Sequence, residues 1–109
     1  MQPSTPGQPL RSQLANDPDM QELIGLFIEE LPERLRAIEC ALAERRADDV
    51  KRVAHQLRGA CGGYGFPVLG VAAGKVEDAV RAMPSPEANL ADVKAGVEEL
   101  VDLCRRVVR

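Results

Sequence analysis

The sequence predicts an all-α protein, an antiparallel up-down four-helix bundle preceded by an additional N-terminal helix. Three observations predict it. Apolar residues recur at three- and four-residue spacing over most of the chain, and no segment alternates with period two for long enough to form a strand. The residues are 45% apolar but include only two Phe, one Tyr and no Trp, so the core is built from Leu, Val, Ile and Ala, which suits helix-on-helix packing. Links between the periodic segments are short and polar, which makes sequential helices antiparallel neighbours. A chain of 109 residues has room for one such domain and not for a nucleotide-binding domain beside a second one.

Positions 1–16 hold Pro3, Pro6, Gly7 and Pro9 among small polar residues and read as a flexible tail or linker, with the helical domain occupying 17–109. From Asp19 the residues Met20, Leu23, Ile24, Phe27, Ile28 and Leu31 follow helical spacing. Leu35, Ile38, Ala41 and Leu42 continue the pattern beyond Pro32, which lacks a backbone donor and predicts a kink or break, with Pro32 or Glu33 opening the second helix. A third helix is expected to open at Asp48 or Asp49, where a carboxylate caps free N–H groups, and to run to about Gly63. The fourth starts at Pro67, carries Val68, Leu69, Val71, Ala72, Val76 and Val80 inward, and ends before Pro84. The fifth runs from about Glu87 to Val107, with Leu90, Val93, Val97, Leu100, Val101, Cys104 and Val108 on its apolar positions.

A net charge of -3 with acids and bases mixed along the chain argues against nucleic-acid binding, which needs a basic stripe to neutralise phosphates. The apolar runs are only a few residues long and the first twenty positions hold no charged-then-apolar signal pattern, so neither secretion nor membrane spanning is expected. Cys40, Cys61 and Cys104 are widely spaced on apolar phases of their segments and read as buried thiols in a reducing, cytoplasmic compartment.

The stretch from Asp48 to Phe66 carries the chemistry. On a wheel of about 100° per residue, Val50, Val53, Ala54, Leu57, Cys61 and Tyr64 form a core stripe, and His55 falls about 140° from Val50. The only histidine of the chain therefore faces water, with Lys51, Arg58 and Gly62 on one side and Arg52 and Gly59 on the other. A lone exposed histidine is usually inert. Gly59, however, sits inside a well-formed helix at a cost of about 1 kcal/mol relative to alanine, and it clears the space one turn from the imidazole. Gly62, Gly63 and Gly65 also read as a C-terminal cap before Pro67. A neutral imidazole offers a ring-nitrogen lone pair for attack on phosphorus, and a guanidinium at i+3, that of Arg58, can bind phosphoryl oxygens.

Other chemistries find less support. Gly74-Lys75 is followed by Val76 inside an apolar helix and is no Walker loop, and Gly62-Gly63-Tyr64-Gly65 follows no strand, as a dinucleotide loop would. No Cys-x2-Cys pair exists for zinc, and His55 points away from the side of Cys61. Adjacent carboxylates such as Glu29-Glu30 and Glu98-Glu99 point apart on a helix and read as solvated surface. Glu77, next to Val76, falls at the edge of the bundle and its role stays open.

The run His55-Gln56-Leu57-Arg58-Gly59-Ala60-Cys61-Gly62-Gly63-Tyr64-Gly65-Phe66 resembles the signature His-x-Leu-Lys-Gly-Ser-Ser-x-x-Leu-Gly-Ala of the histidine-phosphotransfer family. The likeness extends to the apolar pattern before Pro32, to Glu33-Arg34-Leu35 and to Val76-Glu77, where the family commonly has Leu-Glu. It implies that His55 accepts a phosphoryl group, that Arg58 stands where a lysine usually supports it, and that Gly59 admits the partner. Ala60-Cys61 in place of small hydroxyl residues, and Phe66 in place of alanine, are expected to adjust packing and partner choice.

By this resemblance the protein is a phosphocarrier of a two-component phosphorelay and not an enzyme, without cofactor or metal of its own. The catalytic aspartate and Mg2+ belong to the response-regulator receiver domains that it meets, and a hybrid sensor kinase is a further possible partner. Lys51, Arg52, Gln56 and Gly62 surround His55 and are the expected partner contacts, although Lys51 and Arg52 also read as partners of carboxylates on neighbouring turns. Two alternatives remain: a phosphoryl-accepting domain serving its own hybrid or chemotaxis-type kinase, and a helical adaptor in which His55 is incidental. A monomer is expected, since the bundle can close its core alone.

Overall fold

The computed structural model describes residues 8–85 and 90–108, which form four helices. These are α1 (Pro18–Ala43), α2 (Ala47–Gly63), α3 (Pro67–Arg81) and α4 (Ala91–Arg105). Asp17 caps α1, its Oδ1 accepting from the Asp19 amide at 2.9 Å, and Pro18 occupies the first turn, where a missing donor does no harm.

The expected break at Pro32 does not occur, so among the described residues there is no separate N-terminal helix: α1 runs for 26 residues with Pro32 inside it. Burial explains why. Ile24, Phe27, Leu31, Leu35, Ile38 and Ala41 form one unbroken stripe against the core, and Pro32 lies on the exposed side, where water can serve the carbonyl that loses its donor. Tertiary packing of the whole stripe outweighs the local penalty.

α1 ends where Arg45 takes a left-handed conformation (φ 59°) and the Arg46 amide reaches back to the Ala41 carbonyl at 2.8 Å. α2 opens slightly earlier than the sequence predicts and with no side-chain cap. Asp48 and Asp49 lie within its first turn, favourably placed at the positive end of the helix dipole. Gly65 (φ 83°) terminates α2, with the Phe66 amide donating to the Cys61 carbonyl at 2.8 Å, so Gly65 and not Gly63 supplies the cap. α3 begins at Pro67 as expected. The expected start of the last helix at Glu87 lies outside the described residues, and α4 is seen from Ala91.

The core gathers Ile38, Leu57, Leu69, Val76, Val97 and Leu100, all essentially inaccessible. Phe27, Tyr64 and Phe66 cluster at one end, with ring centroids 4.9 Å apart for Phe27–Tyr64 and 5.8 Å for Phe27–Phe66. The large residue at position 66 is thus accommodated beside α1. Val68 and Val71, expected inward, are instead among the exposed large apolar residues, as is Leu23. Cys61 and Cys104 are buried but Cys40 is exposed, because the continuous α1 turns that position outward.

Of the expected tail, residues 1–7 lie outside the described residues, and the remainder is tied to the bundle. Leu10 forms a parallel bridge with Val107, its amide donating to Arg106 O at 2.8 Å and its carbonyl accepting from Val108 at 2.9 Å. Ser12 is buried, and its Oγ donates to Tyr64 O at 2.6 Å and accepts from the Leu14 amide at 2.9 Å. A Cβ at Gly65 would lie 2.5 Å from that Oγ, so the strap passes over α2's end only because residue 65 is glycine.

Candidate functional site

α2 presents His55 to solvent because Val53, Ala54 and Leu57 beside it are drawn into the core. The His55 side chain is 69% exposed, yet one edge of the ring is held: Nδ1 lies 2.9 Å from Oε2 of Glu77 on α3. Glu77 is 1% exposed and sits on the buried stripe of α3 with Ala73, Val76 and Val80. A buried carboxylate requires partners, and this one has three. Oε1 accepts from Arg58 Nη1 at 3.1 Å, and Oε2 accepts from Arg81 Nη2 at 2.7 Å as well as from His55.

Burial pushes the Glu77 carboxyl toward its protonated form, but hydrogen bonds from Arg58 and His55 and the charge of Arg81 outweigh it and hold the group below its ordinary value. An ionised carboxylate only accepts, so the proton of the His55–Glu77 bond sits on Nδ1 when the ring is neutral. Nε2 then carries the lone pair, on the side away from the carboxylate.

Among the other residues singled out from the sequence, Arg58 joins this network and the rest do not. Arg52 pairs with Asp49 at 3.3 Å, as its structural reading anticipated, while Lys51 makes no ion pair among the described residues. Gln56 is exposed near His55 in the sequence of α2. A Cβ at Gly59 or at Gly62 would meet nothing within 4 Å, so the helix surface is open at both positions. α2 and α3 pack closely where Gly70 faces the Arg58 carbonyl, and the Arg58 side chain lies across Gly74, whose Cβ would sit 3.6 Å from Cδ.

Sequence reasoning set Glu77 at the edge of the bundle, whereas the structure buries it in the α2–α3 seam, and it missed Arg81. The available signal was a carboxylate spaced four residues from Ala73 and three from Val80, hence on the buried stripe, with an arginine at i+4. The cysteines offer no competing nucleophile in the core: burial pushes the thiol of Cys61 up to about 11 and that of Cys104 up to about 12. Among the described residues no group of three or more His, Cys, Asp and Glu side chains could hold a metal ion, and no helix is long and apolar enough to cross a membrane.

A family model described as the Hpt domain matches residues 22–107. The chain belongs to the Hpt-domain family. Comparison with curated proteins and with solved structures returns no match. Hpt domains carry phosphoryl groups on histidine within phosphorelays, interact there with receiver domains, and are phosphocarriers rather than catalysts. The four helices described above are those of an Hpt bundle.

Proposed function

We propose that this Hpt domain accepts a phosphoryl group on His55 from the aspartate of one receiver domain and passes it to the aspartate of another. The observation that carries the reading is the hydrogen bond from His55 Nδ1 to buried Glu77 on a ring otherwise open to solvent. Nε2 attacks the phosphorus of the aspartyl phosphate. The N–P bond forms as the P–O bond breaks, and the electron pair leaves with the partner's carboxylate. The imidazole becomes cationic in this step, and ionised Glu77 beside Nδ1–H stabilises that charge.

Arg58 is half-exposed and uses one nitrogen on Glu77, which leaves guanidinium donors for phosphoryl oxygens. Gly59 leaves room for the partner's active site, and Lys51, Arg52, Gln56 and Gly62 form the surrounding contact surface. Mg2+ and the catalytic aspartate come with the receiver. Free thiols fit a reducing cytoplasm, and a core closed within one chain fits a monomer.

Incubation with phosphorylated receiver domains and Mg2+, following acid-labile and base-stable label, tests the reading. Label is expected on the unsubstituted protein and not on His55→Gln. A folded protein that takes no label from any receiver, or equal labelling of the variant, overturns it.

A further inference from the structure

Glu77 Oε2 is shared between two donors, His55 Nδ1 at 2.9 Å and Arg81 Nη2 at 2.7 Å. The sharing matters because a carboxylate next to an imidazole can act in two ways. It can accept one N–H and fix the tautomer, leaving the far nitrogen with its lone pair. With enough uncompensated charge it instead favours the doubly protonated ring, whose Nε2 has no lone pair and cannot attack phosphorus. Which of these prevails depends on how far other cations offset the carboxylate.

We propose that Arg81 is a positioning residue for His55, offsetting part of the charge of Glu77 so that the carboxylate orients Nδ1–H without drawing a second proton onto Nε2. The inference rests on the phosphoryl-accepting reading of His55 and adds a residue that the signature around His55 does not contain. Arg58 serves the other oxygen, Oε1, and lies on the same helix as His55, so it does not replace Arg81 at the shared atom. The other charges nearby are balanced differently. Lys75 and Asp78 line the depression that Arg58 and Arg81 border, and Lys75 faces Glu99 of α4 at 3.8 Å. Arg81 is itself half-exposed, so its effect is screened and graded rather than all-or-none.

Because His55 is the only histidine, its ring nitrogens can be followed by 15N NMR without ambiguity, alongside the pH dependence of receiver-to-protein transfer. In Arg81→Gln the NMR titration midpoint and the acid limb of the rate profile are expected to move together to higher pH. Arg81→Lys, which keeps the charge, should restore both toward the unsubstituted protein. A role confined to closing the last turn of α3 would alter melting temperature and leave the midpoint in place. An unmoved midpoint in Arg81→Gln, or an Arg81→Lys protein that titrates like the glutamine variant, overturns the proposal. Failure of the unsubstituted protein to take label counts instead against the role of His55, and the NMR arm still decides that of Arg81.

Discussion

His55 and Glu77 sit 22 residues apart on adjacent helices, and Nδ1 of the one meets Oε2 of the other at 2.9 Å, an exposed ring held by a buried carboxylate. The arrangement gives the ring direction without covering it. Glu77→Gln keeps the shape but removes the charge that, under the proposed function, supports a cationic phosphoimidazole, so transfer from a phosphorylated receiver is expected to slow by about tenfold or more. Rapid-quench measurement of the transfer rate checks this, and an unchanged rate in the folded variant would show that the carboxylate charge contributes nothing, since the glutamine carbonyl can still accept from Nδ1–H.

The same carboxylate links stability to pH. Its folded-state value is held down against burial by Arg58, His55 and Arg81, whereas in the unfolded chain it returns to the ordinary value near 4.5. A depressed carboxylate contributes stability that is fully present above the unfolded value and is lost as pH falls through the folded one. Thermal melting is therefore expected to fall below about pH 4.5 more steeply in the unsubstituted protein than in Glu77→Gln. Parallel melting curves for the two proteins from pH 6 to pH 3 would refute the linkage.

How much of this was legible in the sequence differs from element to element. The core stripe of α2 and the exposure of His55 followed from periodicity alone, because a residue's angle on a helix is fixed by its number. Pro32 misled because its local penalty is visible in sequence, whereas the packing of Ile24 through Ala41 that overrides it is distributed along α1. Val68 and Val71 misled for a related reason: α3 has more apolar residues than its buried face can take, and Glu77 occupies one of the buried positions instead. The strap from Leu10 to Leu14 was hidden because its order comes from backbone hydrogen bonds to Arg106, Val108 and Gly65, which composition does not reveal. Arg58 was placed on the right face, but the anion that holds it comes from another helix.

Gly65 closes α2 and passes beneath the strap. Gly65→Ala would place a methyl group 2.5 Å from Ser12 Oγ at a backbone φ of 83°, so it is expected to destabilise the fold by about 2 kcal/mol. Denaturant unfolding measures this directly. Ser12→Gly in the same background should recover part of the loss by removing the hydroxymethyl group, and no loss in the single variant would mean that the strap yields at little cost.

Gly59 separates access from stability. Nothing lies within 4 Å of a Cβ there, so Gly59→Ala is expected to raise stability, by about 1 kcal/mol from helix propensity. Gly59→Leu should also fold, yet its side chain would occupy the space one turn from His55 and slow transfer by about tenfold or more, as misplaced reactants do. Denaturant unfolding and transfer rates on the same preparations separate the two effects. Full transfer by Gly59→Leu would reduce this glycine to an incidental feature of the helix.

Lys51 and Arg52 are neighbours in sequence with different surroundings. Arg52 is tied to Asp49, whereas Lys51 makes no ion pair among the described residues, so its charge is the better available to an acidic partner surface. Lys51→Ala is expected to reduce the second-order rate of transfer about two- to fivefold at low ionic strength, and the deficit should shrink as salt shortens the range of the interaction. Arg52→Ala should do less, because the charge removed is already offset by Asp49. Stopped-flow encounter rates across ionic strength, with one receiver held constant, distinguish the two. If Lys51→Ala matches the unsubstituted protein at every salt concentration, steering by Lys51 is excluded.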